Sequence, residues 1–355
     1  MSQRVLITGG AGFVGSSLGL GLAKRHPDWQ IAALDNLKRR GSELNLPRLK
    51  QAGIEFVHGD VRNPEDLDPK VLEPNLILEC SAEPSVLAGY GSPGYLLQTN
   101  LIGTINCLEL ARETQADFIF LSTSRVYPIA YLSQLNYRET ETRFQLLDEQ
   151  PFPGASQYGI AEDFPLDRAR SLYGTTKLAS ELLIAEYAEA YNLRTLVNRC
   201  GVLTGPWQMG KVDQGVFALW VARHYFQKPL KYIGYGGTGK QVRDFLHVAD
   251  LLDLLDLQLQ QFDDLKGETF NVGGGSHNQV SLYETTQICQ EVTGNAIDIS
   301  PVPENRPGDV PIFITDSRKV MARTGWQPKR DIRVTLTEIY DWMVSETDNI
   351  RKIFT

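Results

Sequence analysis

The sequence predicts an α/β fold in which a Rossmann-type, doubly wound parallel sheet is joined to a smaller α/β substrate-binding lobe. Short apolar runs alternate with longer amphipathic stretches along the first half of the chain, as in repeated strand–helix units. A glycine-rich turn follows the first apolar run. The polar, Pro-containing and Gly-containing stretch at 128–170 is long for a plain connection, so we expect an ordered excursion there. Together these features predict ligand binding at the carboxyl ends of parallel strands.

Each predicted element follows from its apolar spacing. The runs that predict strands are 4–7, 30–34, 54–57, 76–78 and 118–121. Helical spacing predicts helices near 16–26, 99–115, 174–191 and 248–260. Turns and shorter elements are otherwise expected to dominate from about Thr195 onward. The Rossmann domain is predicted to span 1–195 with a return at about 240–270, and the second lobe to span 196–239 and 271–355.

Composition restricts the class of protein. The 355 residues are 42% hydrophobic and 22% charged, which is ordinary for a globular protein. The net charge of -8 disfavours nucleic-acid binding, because phosphate backbones need a basic face. No apolar run approaches the ~20 residues that span a bilayer, and 1–8 lack a secretory signal. We therefore expect a cytoplasmic protein without a membrane partner. Neither the four cysteines nor the histidines have metal-ligand spacing, so no metal is expected.

The turn after the first strand has the spacing of a dinucleotide site. In Thr-Gly-Gly-Ala-Gly-Phe-Val-Gly at 8–15, Gly9 permits a tight turn and Gly12 allows the backbone to approach a pyrophosphate. Gly15 permits close packing of helix on strand, and the helix N-terminus attracts the anion. We place Phe13 and Val14 in the same predicted cofactor site. A turn in an α/β protein that binds no nucleotide is the alternative reading.

The second and third strands end on acids that suit an adenosine. Asp35 lies twenty residues after Gly15, where a carboxylate accepts from a ribose and repels a 2′-phosphate, which favours NAD over NADP. Arg39 and Arg40 follow closely and could neutralise a 2′-phosphate, which is the alternative interpretation. Asp60 can accept from the adenine amine. The predicted adenosine-binding residues are Asp35, Asn36, Asp60 and Val61.

A tyrosine and a lysine are spaced for acid/base chemistry. Tyr173 and Lys177 are four residues apart, on one face of a predicted helix. A nearby ammonium favours the phenolate, so Tyr173 can remove a hydroxyl proton while hydride leaves the same carbon. Taken alone, this spacing is common on solvated helices. A hydroxyl within the Ser-Thr-Ser run at 122–124 could hold the substrate oxygen.

Taken together, these segments resemble the extended short-chain dehydrogenase/reductase superfamily, the NAD-dependent epimerase/dehydratase family. The resemblance implies that Thr123, three positions before Val126, is the catalytic hydroxyl beside Tyr173 and Lys177. Tyr173 and Lys177 are also predicted to contact the cofactor. Sugar-nucleotide dehydratases of this superfamily carry an Asp-Glu pair immediately after that threonine. Here Ser124 and Arg125 stand there, so elimination of water is disfavoured.

A narrower resemblance covers about 4–330. Residues 198–215 are rich in Gly, Gln and Lys, which predicts a binding loop. Within this loop, Asn-Arg-Cys-Gly at 198–201 and Gly-Pro-Trp-Gln-Met-Gly-Lys-Val-Asp-Gln-Gly at 205–215 are similar to the CDP-paratose (CDP-tyvelose) 2-epimerases. Val202 stands where most sugar-nucleotide epimerases have a diphosphate-binding asparagine, which weakens a UDP-galactose 4-epimerase reading. The substrate-binding residues implied are Ser124, Arg125, Asn198, Arg199, Gln208, Lys211, Gln214, Tyr232, Gln241, Arg243, Arg306 and Asp309.

The segments at 243–248 and 306–309 resemble superfamily segments that line the nucleotide pocket. The resemblance implies that Arg243 and Arg306 meet the diphosphate by charge-assisted hydrogen bonds and that Asp309 accepts from a ribose hydroxyl. Surface ion pairing is the alternative for each arginine.

The resemblance implies NAD-dependent epimerisation at carbon 2 of a CDP-hexose through a transient ketone. UDP-sugar 4-epimerisation or another nucleotide-sugar oxidoreduction is the nearest alternative. A non-catalytic dinucleotide-sensing protein is the alternative from another class, and the joint presence of Thr123, Tyr173 and Lys177 disfavours it. Apolar residues beyond the core faces of helices 99–115 and 174–191 predict a homodimer or homotetramer.

Overall fold

The chain divides into two compact units. The computed structural model describes residues 3–211 and 214–354. Among these, unit 1 lies within Met1–Val126, Leu172–Arg199 and Leu251–Phe270, and unit 2 lies within Tyr127–Ser171, Cys200–Asp250 and Asn271–Thr355. Each unit is therefore built from segments that are distant in sequence.

The strands are, in chain order, β1 (Arg4–Thr8), β2 (Gln30–Asp35), β3 (Glu55–His58), β4 (Leu76–Glu79), β5 (Asp117–Thr123), β6 (Tyr137–Glu139), β7 (Phe144–Leu146), β8 (Ala155–Ser156), β9 (Gly159–Ile160), β10 (Thr195–Cys200), β11 (Val202–Thr204), β12 (Leu230–Ile233), β13 (Val242–His247), β14 (Thr269–Val272), β15 (Gln279–Ser281), β16 (Ile299–Val302) and β17 (Ile312–Phe313).

The α-helices are α1 (Phe13–Arg25), α2 (Leu46–Gln51), α3 (Pro69–Leu72), α4 (Ala88–Gly91), α5 (Pro93–Leu97), α6 (Gly103–Thr114), α7 (Ile129–Leu132), α8 (Leu172–Tyr191), α9 (Val216–Tyr225), α10 (Val248–Gln260), α11 (Phe262–Leu265), α12 (Leu282–Thr293), α13 (Arg318–Thr324), α14 (Ile332–Ser345) and α15 (Thr347–Phe354).

A seven-stranded sheet dominates the first half of the chain, with strand order β14-β10-β5-β4-β1-β2-β3. The pairs from β5 to β3 are parallel, as the strand–helix alternation predicts. The chain crosses from β3 to β4 over β1, so the strand order reverses between β1 and β4. Ligands of open α/β sheets bind beyond the carboxyl ends of the strands at such a reversal. The Rossmann-type fold is thereby confirmed.

The sheet strands are apolar because both of their faces are covered. All four residues of β4 are buried, as are the last four of β1. A core of buried side chains on one face joins strands to α6 and α8, and its members include Leu6, Ile77, Leu108, Phe118 and Ile184. Continuous apolar runs, rather than alternating ones, are what a parallel sheet covered on both faces requires.

The predicted helices of the first half are present, and the one near 99–115 begins differently. Helix α5 starts at Pro93, a π-helical segment follows at Gln98–Ile102, and α6 continues from Gly103. Proline is favoured at a helix start because its missing N–H would have no partner there. The helix at Val248–Gln260 has the predicted bounds.

The expectation that turns and shorter elements dominate after Thr195 is wrong. Besides α10, the described residues there form three helices of ten residues or more, namely α9, α12 and α14. Local sequence signals predict helix α12. Ser281 and Glu284 form a capping box, and Gly294 ends the helix in the left-handed conformation. The glycine-rich segments of this region favour turns, whereas these caps favour a helix.

The stretch between 128 and 170 belongs to unit 2. It contains α7 and two short antiparallel pairs, β6 with β7 and β8 with β9. It is thus an ordered excursion, as its Pro-containing and Gly-containing sequence suggested. Within the described ranges, no helix is long and apolar enough to cross a membrane.

Candidate functional site

The glycine-rich turn joins β1 to α1 as the sequence predicts. Gly9 has φ 63°, a conformation that side chains disfavour, and a Cβ there would lie 2.9 Å from the Cα of Ser81. A Cβ on Gly15 would collide with the carbonyl oxygen of Gly9. Gly12 is the N-cap residue of α1 and makes no side-chain hydrogen bond. The first N–H groups of the helix therefore have no side-chain cap. This turn fits a pyrophosphate.

Asp35 is fastened to the glycine turn. Its carboxylate accepts hydrogen bonds from the backbone N–H of Ala11 at 3.1 Å and of Leu37 at 2.8 Å. Asn45 donates to the carbonyl of Ala11 at 2.8 Å, so the turn is held from two sides. Burial raises the pKa of Asp35, and the backbone donors oppose that effect. A carboxylate at the end of β2 is where an adenosine ribose would be recognised.

Asp60 follows β3, the strand that pairs with β2, and its carboxylate already accepts hydrogen bonds from neighbouring side chains. Asn36 donates to Asp60 at 2.9 Å, and the Nε of Arg62 donates to it at 2.9 Å. The Arg62 guanidinium holds the pKa of Asp60 well below its usual range. Arg62 and Lys38 also lie over the ring of Tyr95, at 5.0 and 4.2 Å from its centroid. Three of these residues, Arg62, Lys38 and Tyr95, were not singled out from the sequence.

The other predicted cofactor residues differ in exposure. Phe13 and Val14 are half-buried in the first turn of α1. Val61 has a buried side chain in the core, and its carbonyl accepts from Asn106 at 2.8 Å. The side chain of Val61 is therefore used in packing, and its carbonyl is used to hold Asn106.

Thr123 ends β5 and is followed by a 3-10 turn at Ser124–Val126. Its hydroxyl oxygen accepts from the N–H of Arg125 at 3.2 Å. The neighbouring Ser122 instead donates to Glu181 and is buried in that contact. The two adjacent hydroxyls therefore have different partners, a buried carboxylate for Ser122 and the backbone of the following turn for Thr123. Ser124 and Arg125 are both half-buried at this turn.

Tyr173 and Lys177 lie one turn apart near the start of α8. Tyr173 is 8% exposed and Lys177 is 2% exposed, so this is not a solvated helix face. Helix α8 packs on β5, on the turn at Ser124–Val126 and on the π-helical segment. The packing brings the helix start to the end of the strand that carries Thr123, as the predicted catalytic group requires.

Asn100 is a buried residue that sequence reading missed. Its side-chain oxygen accepts from the N–H of Glu83 at 2.7 Å, and its side-chain amide donates to the carbonyl of Glu83 at 3.1 Å. The backbone carbonyl of Asn100 accepts from Ser180 of α8 at 3.3 Å, and it lies 2.8 Å from the hydroxyl oxygen of Thr104. The π-helical segment therefore positions α8. No local sequence signal distinguishes such a residue from an ordinary helical asparagine.

Asn198 and Arg199 lie in β10 of unit 1 rather than in a binding loop. The amide of Asn198 pairs reciprocally with that of Gln258, at 2.8 and 2.9 Å. Arg199 donates to Glu181 through two nitrogens, at 3.0 and 2.8 Å, with both side chains buried. Since both groups are engaged inside the unit, the geometry does not favour their predicted contact with substrate.

In unit 2, three predicted substrate residues meet. Arg243 donates to Asp309 at 2.6 Å, and Arg306 lies 3.7 Å from the other oxygen of that carboxylate. Arg243 also donates to the carbonyl of Val310 at 2.7 Å. The adjacent Asp244 is buried and accepts from Thr315 at 3.1 Å, which fixes the strand that carries Arg243. Two guanidinium groups around one carboxylate form a locally positive group.

Three further predicted substrate residues of unit 2, Tyr232, Gln241 and Gln208, each make a hydrogen bond to a different residue. Tyr232 donates to Thr286 at 2.7 Å, and Gln241 donates to the carbonyl of Ile233 at 2.8 Å. Gln208 donates to the carbonyl of Leu203 at 2.9 Å.

Lys211 and Gln214 are joined by two backbone hydrogen bonds, of 2.6 and 3.1 Å. The binding loop predicted at 198–215 begins instead with strands, since β10 and β11 occupy most of 198–204.

Comparison with known proteins gives a consistent family. The model of the NAD dependent epimerase/dehydratase family matches residues 5–273. The chain is 31% identical to a CDP-paratose 2-epimerase of Salmonella typhi, over 97% of this chain and 100% of that protein. Helices and strands superpose on a Thermus thermophilus UDP-glucose 4-epimerase complex with NAD at a TM-score of 0.78, with 28% identity and coverage of 96% and 99%.

A third similar protein, the Bacillus anthracis dTDP-glucose 4,6-dehydratase in complex with NAD, has a TM-score of 0.76 and 25% identity. The alignment covers 99% of this chain and 100% of the dehydratase. The cofactor is NAD, in agreement with the glycine turn and with Asp35. This chain therefore belongs to the NAD dependent epimerase/dehydratase family.

Proposed function

We propose that this protein is an NAD-dependent epimerase that inverts carbon 2 of a CDP-hexose through a transient ketone. The observation that carries the proposal is the packing of α8, with Tyr173 and Lys177 one turn apart, onto the end of β5 at Thr123. The choice of sugar and nucleotide is supported by the 31% identity to a CDP-paratose 2-epimerase over nearly the full chain.

Each of the three residues has a separate task in this proposal. Tyr173 removes the proton from the sugar hydroxyl and later returns it to the ketone oxygen. Thr123 holds that oxygen by a hydrogen bond. The ammonium of Lys177 favours the phenolate form of Tyr173. When bound, NAD would supply the acceptor for the hydride of carbon 2 and, after the ketone has turned in the site, the donor for its other face.

Elimination of water needs an acid, and this chain has none at the two positions after Thr123. Ser124 and Arg125 follow Thr123, where the resembling dehydratases have an Asp-Glu pair. Neither residue is a carboxylic acid, so neither can protonate a leaving hydroxyl as those residues would. We therefore favour epimerisation over dehydration, although a dTDP-glucose 4,6-dehydratase is among the structural relatives.

We further propose that unit 1 holds NAD and that unit 2 binds the diphosphate of the sugar nucleotide. In unit 1 the support is the glycine turn with Asp35 bound to it. In unit 2 it is Arg243 and Arg306 around Asp309. Arginine forks match phosphate oxygens in pairs, and charge-assisted bonds are stronger than neutral ones.

The test is proton NMR of the purified protein in deuterated water with CDP-paratose and, separately, CDP-glucose, without added cofactor. We expect conversion to the carbon-2 epimer with no deuterium at that carbon, because the hydride returns internally and does not exchange with solvent. Deuterium at carbon 2 would contradict hydride return. No conversion of either sugar would reject a CDP-hexose substrate.

UDP-sugar 4-epimerisation is the second candidate, since a UDP-glucose 4-epimerase is 28% identical and superposes well. UDP-glucose and UDP-galactose in the same assay separate the two functions. Inversion at carbon 4 of these sugars, with the CDP-sugars unchanged, would replace the carbon-2 proposal.

We also propose that α6 and α8 pair with their copies across a twofold axis. On α8, Leu182 is 64% exposed and Tyr191 is 49% exposed. Burial of one leucine contributes roughly 1.5–3 kcal/mol, so Leu182→Glu is expected to weaken association at least about tenfold. Light scattering after gel filtration over a concentration series measures this change.

The matched control is Val71→Glu, which adds the same charge at a residue of unit 1 that is 73% exposed. This control is expected to keep the mass of the unaltered protein. A Leu182→Glu variant that associates as tightly as the control would reject the helix pairing.

A further inference from the structure

A fully buried acid stands at the end of β4 and has no task in the catalysis described above. Glu79 is 0% exposed. Its Oε1 accepts from the hydroxyl of Thr104 at 2.7 Å. Its Oε2 is also buried and accepts no hydrogen bond within the described part of the chain. Burying a carboxylate is costly unless a positive charge or further donors compensate, so Glu79 needs an explanation.

The sheet register places Glu79 beside Lys177. Glu79 of β4 is paired in register with Phe120 of β5. Paired residues of parallel strands project to the same face, and adjacent strands lie about 4.8 Å apart. The Nζ of Lys177 lies 3.8 Å from the centroid of the Phe120 ring. The ammonium of Lys177 is therefore on the face of the sheet to which the Glu79 carboxyl projects.

The groups that face Glu79 come from two helices. Helix α6 contributes Thr104 and Cys107, and α8 contributes Lys177. Burial raises the pKa of the Cys107 thiol, and the charge of Glu79 raises it further, so Cys107 stays neutral. Lys177 is the positive group of this set. Burial raises the pKa of Glu79 to about 7, against the opposing effects of Lys177 and Thr104.

We propose that Glu79 is a positioning residue whose buried carboxyl, held by Thr104 on the face that carries Lys177, sets the net charge that Lys177 presents to Tyr173. The effect on Tyr173 rests on the proposed function. The coupling between Glu79 and Lys177 does not, because it follows from the sheet register and the packing of α8.

The direction of the effect follows from the signs of the charges. Glu79 is neutral below about pH 7, and the ammonium of Lys177 then acts undiminished on the phenol of Tyr173. As the pH rises through that value, Glu79 becomes an anion and offsets the ammonium. A second anion then has to form nearby when Tyr173 ionises, so ionised Glu79 raises the pH at which Tyr173 loses its proton.

The first experiment follows the Glu79 carboxyl itself. Carbon NMR of protein labelled at glutamate carboxyl groups, assigned by the signal lost in Glu79→Gln, gives its titration. Lys177→Met is expected to raise the midpoint by roughly one pH unit, because an opposite charge is removed. Thr104→Val is expected to raise it as well, since a donor to the carboxylate is lost. A midpoint that does not move in Lys177→Met overturns the proposal.

The second experiment measures Tyr173. The ultraviolet absorbance of phenolate, taken as the difference from Tyr173→Phe, is followed against pH in the NAD complex. Glu79→Gln is expected to lower the midpoint by roughly one pH unit. Glu109→Gln on α6, a carboxylate 40% exposed to solvent, is the matched loss of one charge and is expected to leave it unchanged. An unchanged or higher midpoint in Glu79→Gln overturns the proposal.

The two experiments separate this inference from the function proposed above. If no sugar nucleotide is epimerised but Lys177→Met still moves the Glu79 midpoint, the substrate assignment fails and the coupling stands. If epimerisation proceeds and neither midpoint responds, Glu79 has only a packing role. Loss of turnover in Glu79→Gln without a change in either midpoint leads to the same conclusion.

Discussion

Replacing Tyr173 by phenylalanine is expected to lower the turnover number by about 10²–10⁴-fold, the range that general acid–base catalysis contributes. The substitution removes only the phenolic oxygen and keeps the ring that is buried at the start of α8. NAD should therefore remain bound, because the substitution leaves the glycine turn and the contact of Asp35 with Ala11 intact. Turnover by NMR and bound NAD by absorbance of the denatured protein check both parts.

Tyr187→Phe is the matched control, since Tyr187 lies on the same helix and its hydroxyl contacts Glu109. We expect this variant to keep both turnover and cofactor. Turnover of Tyr173→Phe equal to that of the control would remove Tyr173 from the reaction. Joint loss of NAD and turnover would show that the lost hydroxyl also supports cofactor binding.

Breaking the buried ion pair between Arg199 and Glu181 is expected to cost roughly 3–5 kcal/mol in the free energy of unfolding. Arg199→Met leaves a carboxylate in a site where the side chains of the pair are only 8% and 6% exposed. Ser122 also donates to Glu181 and cannot replace a cation. Urea unfolding followed by circular dichroism measures the change.

Arg112→Met is the control for this stability effect, because Arg112 pairs with Glu109 at the surface with 34% and 40% exposure. Exposed pairs contribute about 0–1 kcal/mol, so the control should unfold nearly as the unaltered protein does. Equal midpoints for Arg199→Met and Arg112→Met would contradict the structural role. A raised KM in Arg199→Met without loss of stability would restore its predicted contact with substrate.

The features of the fold and of the candidate site that the sequence predicts depend on local signals. Spacing along one strand–helix unit predicts the first strand, the glycine turn that follows it and the acid after the second strand. These are Arg4–Thr8, the turn with Gly9, Gly12 and Gly15, and Asp35, and the structure confirms the turn. Tyr173 and Lys177 likewise share a face through the helical repeat alone. The capping signals of α12 are equally local, so that helix could have been predicted.

Other features of the candidate site depend on residues far apart in sequence. Glu181 meets Ser122 and Arg199 only because α8 packs across β5 and β10, and Asn45 meets Ala11 only after α2 and the glycine turn are both in place. The sequence by itself determined the strand–helix order, the cofactor turn and the spacing of the acid/base pair, since hydrogen bonding within an element sets those periods. Only the tertiary structure decided that Asn198 and Arg199 face inward and that Glu79 is buried on the Lys177 side of the sheet, because the register between strands and the packing of helices determine which distant side chains share an interior.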